Sequence, residues 1–304
     1  MDRKFRLVYN NQIIRSGKTL YQIEALKDFD NVKKGDLGGW VESEDNLSQE
    51  GDCWIYGDAS VQDNAIVRDD ATIYDAVEVH GNAEISGKAR LSHVVKVYDN
   101  VKISDRAWIC GIDRNHCHRP IIIRNNVEIY GNASIHGQDL HIFDNAKIYG
   151  DARIDDTFYT KICGSTLIFE EACVSGRFVV CENSKICGTA CIHDYTILKN
   201  ALIKSDSDYI VLIPVDNDAI TIYRGNDDHN YISIGNNMLY TRNFNYDFLP
   251  AYFIPAWCGG TIEDFERFIS DMKKECQNKY LPIVEFAKRL LNKEENKNGN
   301  EENN

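Results

Sequence analysis

No stretch of the 304 residues comes near the about 18 consecutive apolar residues that a membrane-spanning helix needs. The chain opens without the basic-then-apolar pattern of a secretory leader, so export is not indicated. It also lacks a surplus of basic residues. With 47 acidic against 34 basic side chains its formal net charge is −13, which argues against generic nucleic-acid binding, since that needs a basic footprint. There is no C-x-x-C pair to suggest a structural zinc, and the ten cysteines, without a leader, read as reduced thiols of a cytoplasmic protein. Neither a P-loop nor a dinucleotide fingerprint occurs among the glycine-rich segments. Over its first half the chain also lacks a 3.6-residue apolar period, which excludes an amphipathic helix there.

What it has instead is a period of six. From Cys53 to Ile109 a large aliphatic recurs at Ile55, Val61, Val67, Ile73, Val79, Ile85, Leu91, Val97, Ile103 and Ile109. Four places after each comes a small residue: Ala59, Ala65, Ala71, Val77, Ala83, Ala89, Val95, Val101 and Ala107. The small residue and the next large one are two apart, so on a strand they face the same side. Between them sit Gly57-Asp58, Asp63-Asn64, Asp69-Asp70 and Gly81-Asn82, residues that tolerate a tight or left-handed backbone. A corner every six residues closes a triangle every eighteen, which predicts a parallel β-helix with Ile55, Ile73, Leu91 and Ile109 stacked inside. Each coil leaves its backbone groups for the next to pair with, about 4.8 Å away. One coil cannot bury its face alone, so stability grows with coil number.

This pattern resembles the hexapeptide-repeat family, whose fold is the left-handed parallel β-helix. The handedness is an implication of the resemblance, because the spacing alone does not set it. The steric rule for parallel crossovers favours the right hand, so a right-handed β-helix, as in bactofilin-like polymers, is the alternative. The run Lys33-Lys34-Gly35-Asp36-Leu37-Gly38-Gly39-Trp40-Val41-Glu42-Ser43, followed by Asn46-Leu47-Ser48, is similar to the leader of phage and prophage hexapeptide-repeat proteins of unassigned function. The segment Cys258-Gly259-Gly260-Thr261-Ile262-Glu263-Asp264-Phe265 looks like the "GCFxGTLEEF" ending of the same proteins.

The expected organisation has four parts. Residues 1–50 form an N-terminal β cap, with Leu37–Val41 covering the open edge of the first coil, since a bare β-helix end invites polymerisation. Residues 51–205 form an all-β solenoid, a left-handed β-helix of about eight coils interrupted by a loop insertion at 111–120. One further residue enters the repeat near Gln138–Leu140 and two near Asp155–Thr160. Residues 206–292 form a small α+β domain with strands at Tyr209–Ile213, Ala219–Tyr223 and Tyr231–Ile234. Its first helix opens at Thr261, whose Thr-x-x-Asp264 spacing resembles a capping box, and a second follows Pro282. The Asn-, Glu- and Lys-rich tail at 293–304 lacks the apolar residues to fold.

Candidate chemistry gathers at the interruption. Hexapeptide acyltransferases place a catalytic histidine on or beside a loop leaving the β-helix, where it acts as general base on a hydroxyl or amine that attacks an acyl thioester. By that resemblance the candidates are His116, His118 and His136; a solvated polar loop is the plain alternative. His136 follows His118 by eighteen residues, which would set it one coil further along the same edge. A metal bound by His116, Cys117, His118 and His136 lacks any spacing typical of zinc. Cys163 with Cys181 and Cys173 with Cys191 are expected as outward thiol ladders on adjacent coils, close enough for a bridge but with an unsuited torsion.

Three functions follow. The first is a non-enzymatic phage or prophage accessory protein without a cofactor, binding an unknown protein or small-molecule partner. The second is a hexapeptide acyltransferase using an acyl-coenzyme A donor, trimeric if it follows that family. The third is a polymer-forming scaffold, disfavoured because both ends carry extra domains.

Overall fold

In a computed structural model, residues 3–112, 119–157, 159–193, 196–212, 218–227, 229–236, 260–271, 274, 277–278 and 280–289 are described. They form a parallel β-solenoid of about nine turns with a small C-terminal helical region. Its three faces begin with the strands Trp54–Ile55, Ser60–Val61 and Ile66–Val67, here the first, second and third face. Every inward position expected from Ile55 to Ile109 is buried, and Ile55, Ile73, Leu91 and Ile109 lie in one register. Where an inward position is polar, as at Ser184, the hydroxyl donates to the Cys181 carbonyl at 2.7 Å and accepts the Ala201 N–H at 3.1 Å.

The corners explain the Gly/Asp/Asn pairs. Their first residue has left-handed backbone, whether Gly57 (φ 60°), Asp63 (φ 60°), Asp69 (φ 60°) or Gly81 (φ 72°). Glycine adopts this conformation without steric cost, and aspartate repays it with a short-range hydrogen bond. The Asp63 carboxylate accepts the Gly81 N–H of the next coil at 2.9 Å, and Asp69 accepts that of Gly87 at 3.0 Å. At one corner Asn64, Asn82, Asn100, Asn126 and Asn145 form a ladder of side-chain amide bonds, each 3.0–3.1 Å long.

The N-terminal segment adds the ninth turn to the eight expected. Leu37–Val41 runs parallel to the second face, with Trp40 opposite Ser60 and Val41 opposite Val61. Gly38 and Gly39 are required by this approach: a Cβ on Gly39 would lie 2.4 Å from the Ile55 side chain and 2.5 Å from the Ala59 carbonyl. Phe5–Arg15 and Lys18–Ala25 form an antiparallel hairpin that extends the same sheet. Above Trp54, Phe5 and Phe29 pack edge-on at 6.4 and 5.3 Å. Lys4 is buried there, its ammonium donating to the carbonyls of Glu50, Gly51 and Cys53 at 3.0–3.2 Å.

At the other end Tyr209–Leu212, Asp218–Arg224 and Asn230–Asn236 form an antiparallel sheet joined by Gly260–Thr261. It closes the last turn through the Ser233 hydroxyl, which donates to the Ile197 carbonyl at 2.5 Å, and the Tyr223 hydroxyl, which accepts the Lys199 N–H at 3.1 Å. Thr261 caps the helix Ile262–Ser270, its hydroxyl accepting the Asp264 N–H at 3.1 Å, and Ile262, Phe265 and Ile269 face the sheet core. Residues 280–289 are also helical; the tail from Lys293 lies outside the described residues. Among the described residues no helix is long and apolar enough to cross a membrane.

Two tests follow from this arrangement. Replacing Lys4 by Met keeps the volume but strips three carbonyls of their donor, and stability should fall by about 2 kcal/mol or more. An unchanged denaturant midpoint would show that the ammonium does not hold the first turn. On the second face, Glu78 is gripped by His80 and Lys96, which lower its carboxyl from the ordinary 4.5 to about 2. A depressed carboxyl stabilises the fold above its unfolded value and loses that contribution as pH falls through the folded one. Glu78→Gln should therefore melt lower than the wild type at neutral pH, and the difference should vanish between pH 4.5 and about 2. A gap independent of pH would count against this ion pair.

Candidate functional site

The three insertions between Ile109 and Ile162 fall on one edge, where the first face turns into the second. Along the first face Leu91, Ile109, Ile135 and Ile154 stay in register; along the second, Val95, Ile121, Leu140 and Thr160 do. The insertion after Ile112, the extra residue at Gln138–Asp139 and the two near Thr157–Thr160 lie between these columns. The physical reason is simple. A corner can bulge outward while the flanking strands keep their ladder, whereas an extra residue within a strand would turn its inward side chains out.

His116 and His118, the leading candidates from sequence, lie outside the described residues. His136 is placed on the strand Ser134–Gly137, facing outward, with its side chain 27% exposed. Its register partner one coil back is Cys110. The column beside this edge runs Ser92, Cys110, His136, Asp155, Ser175 and His193. The imidazole of His136 stands edge-on to Trp108 with ring centroids 4.4 Å apart. Its Nδ1 lies 3.6 Å from the Asp155 carboxylate, and its Nε2 lies 3.3 Å from the Ser134 hydroxyl. Ser134 in turn forms one wall of a polar groove of about 450 Å³, whose other walls are Asn132, Asp151, Arg153 and Glu171. One coil back, the Cys110 thiol meets His93 Nδ1 at 3.4 Å.

A carboxylate at Nδ1 and an open groove beyond Nε2 are the arrangement of a general base. At 3.6 Å, beyond hydrogen-bond range, the carboxylate can favour an imidazolium by its charge, while Nε2 can take a proton. Sequence reasoning reached His136 and missed both Asp155 and Ser134. The signal for Asp155 was the register break at Asp155–Thr160, which marks residues released from the repeat.

The second-face side of the same edge carries a cluster that the sequence did not suggest. Asp139 is almost wholly buried and accepts from Arg119 at 2.6 Å, while the Arg119 guanidinium lies 4.8 Å from the centre of the Tyr159 ring. His141 lies 3.9 Å from Asp139, and burial lowers its pKa against the pull of that carboxylate. Among the described residues no three His, Cys, Asp or Glu side chains are grouped so as to hold a metal. Cys173 and Cys191 are register partners, and Cys163 and Cys181 face each other one residue beyond the Ile162–Val180 pair. All four are free thiols, as the ladder expectation had it. The Cys163–Cys181 contact favours the thiolate on Cys163 and disfavours it on Cys181.

No family model matches the chain. A stretch of 61 residues is 41% identical to an uncharacterised acetyltransferase, YdcK, of Escherichia coli (strain K12), covering 18% of this chain. The chain spans 19% of the length of that curated relative. A parallel β-solenoid with this partial match fits the hexapeptide-repeat proteins.

Proposed function

We propose that the protein is a hexapeptide-type acyltransferase that moves an acyl group from a coenzyme A thioester to a hydroxyl or amine held in the groove beside Ser134. The observation that carries this reading is the His136–Asp155 pair, with Nδ1 3.6 Å from the carboxylate and Nε2 turned toward a groove wall. The acetyltransferase match supports it as well. Together they favour this reading over the non-enzymatic phage or prophage accessory role that the leader motif put first among the expectations.

Nε2 of His136 takes the proton of the acceptor hydroxyl or amine as the acceptor atom bonds to the thioester carbonyl carbon. The carbon–sulfur bond then breaks, and the departing thiolate recovers the proton from the imidazolium. Asp155 stabilises that imidazolium between the two transfers. Asn132, Asp151, Arg153 and Glu171 supply donors and acceptors for a polar acceptor.

The test is thioester consumption from acetyl-coenzyme A with panels of sugar and amine acceptors. His136→Ala should lower kcat about 100- to 10,000-fold, and Asp155→Asn should lower it in the same direction. Neither change should shift the melting temperature much, because both side chains lie outside the stacked core. An absence of turnover with every acceptor, or turnover that survives His136→Ala, would return the non-enzymatic reading to first place.

A further inference from the structure

The chain is strongly acidic, yet the second face gathers positive charge next to the irregular edge. Arg124, His141 and Lys161 come from three successive coils. Ile122, His141, Lys161 and Val179 occupy one outward column in register. Arg124 lies beside that column, its guanidinium 5.2 Å from the centre of the Phe143 ring. Lys161 is partly buried, and among the described residues no hydrogen bond or ion pair holds its ammonium.

The neighbouring carboxylates are already engaged. Asp139 is bound to Arg119 at 2.6 Å, Asp144 accepts the Gly164 N–H at 3.0 Å, and Glu182 lies 3.6 Å from Lys199. Burial lowers the pKa of Lys161, the nearby Cys163 opposes this, and the charge of Arg124 adds to the lowering. A partly desolvated ammonium beside a second cation costs stability and is compensated only by an anion. Ile122 and Val179, one coil to either side, keep the surroundings apolar, which strengthens any charge pair formed there. A lysine ammonium, an arginine fork and an imidazole N–H together offer the donors that a tetrahedral oxyanion accepts.

We propose that Arg124, His141 and Lys161 form a binding site for the phosphate of a small phosphorylated ligand. The phosphate belongs either to the nucleotide part of an acyl-thioester donor or to a phosphorylated acceptor; the chemistry of recognition is the same. The inference rests on these three side chains alone and does not require the acyltransferase reading.

The experiment titrates the full-length protein with inorganic pyrophosphate, adenosine 3′,5′-bisphosphate and a sugar phosphate, read by calorimetry and by melting temperature. Wild-type protein should bind pyrophosphate and melt higher in its presence. Lys161→Met should weaken binding by about tenfold or more, the loss of one charge-assisted hydrogen bond, and Arg124→Gln should act in the same direction. Without an anion, Lys161→Met should melt no lower than the wild type, since it removes a partly desolvated charge that no hydrogen bond or ion pair among the described residues holds. Preference for the bisphosphate over the sugar phosphate would assign the site to the donor, and the reverse preference to the acceptor. His136→Ala should bind pyrophosphate as the wild type does, so failure of acyl transfer leaves this proposal standing. No binding of any of the three probes, or equal binding by wild type and Lys161→Met, would overturn it.

Discussion

Coil-to-coil pairing is the constraint on which the rest of this structure depends. Each turn contributes two- to five-residue strands whose backbone groups find partners only on the turns before and after. Individually such strands are far too short to persist; stacked in register they enclose a continuous column of Ile, Val, Leu and Ala from Ile55 to Ile203. This demand shapes the corners. A chain that must turn and return to the same height every eighteen residues needs left-handed backbone at fixed places, and Asp63 and Asp69 meet that need while bonding the next coil. It also shapes the ends, where the last strands have no following turn. Lys4 answers three carbonyls at one end, and Tyr223 and Ser233 cover the other.

Register has a second consequence: whatever a coil shows outward is set against its neighbours at strand spacing. Like groups therefore become ladders. Tyr130, Tyr149 and Phe169 stack with ring centroids 4.9 and 5.1 Å apart, and the asparagines of one corner share their amides. The same geometry brings Cys110, His136 and Asp155 into one column although 45 positions separate the first from the last. On the second face it brings cations together, which ordinary surface design avoids. Like charges set side by side destabilise, so Arg124 and Lys161 beside the His141 imidazole stand out against an acidic chain.

Irregularity concentrates where it costs least. The edge between the first and second faces absorbs the insertion and the extra residues without disturbing the ladders on either side. Side chains at this edge are released from the demand to stack and are free to form asymmetric pairs such as His136 with Asp155 and Arg119 with Asp139. A rigid prism thus holds a variable edge, and the candidate site lies along it.

The sequence by itself determined the scaffold. A strict alternation of large and small apolar residues at six-residue spacing leaves one inward face whichever way the coil winds, so the inward register from Ile55 to Ile109 was readable residue by residue, as was the Thr261 cap of the C-terminal helix. His136 entered as a candidate through the family resemblance and its distance of eighteen residues from His118. Only the tertiary structure decided which side chains meet. Ser134 carries no local mark and Asp155 only the register break it opens, and Leu37–Val41 reads as a lid until its pairing with Ser60 and Val61 makes it a turn of the solenoid. The column of His141 and Lys161 follows once the corner insertions are counted, but which side chains engage the carboxylates around it appears only in the closed coil. Inward positions repeat because the core admits few alternatives; outward side chains are free to vary, and the partners they take are set only by the closed coil.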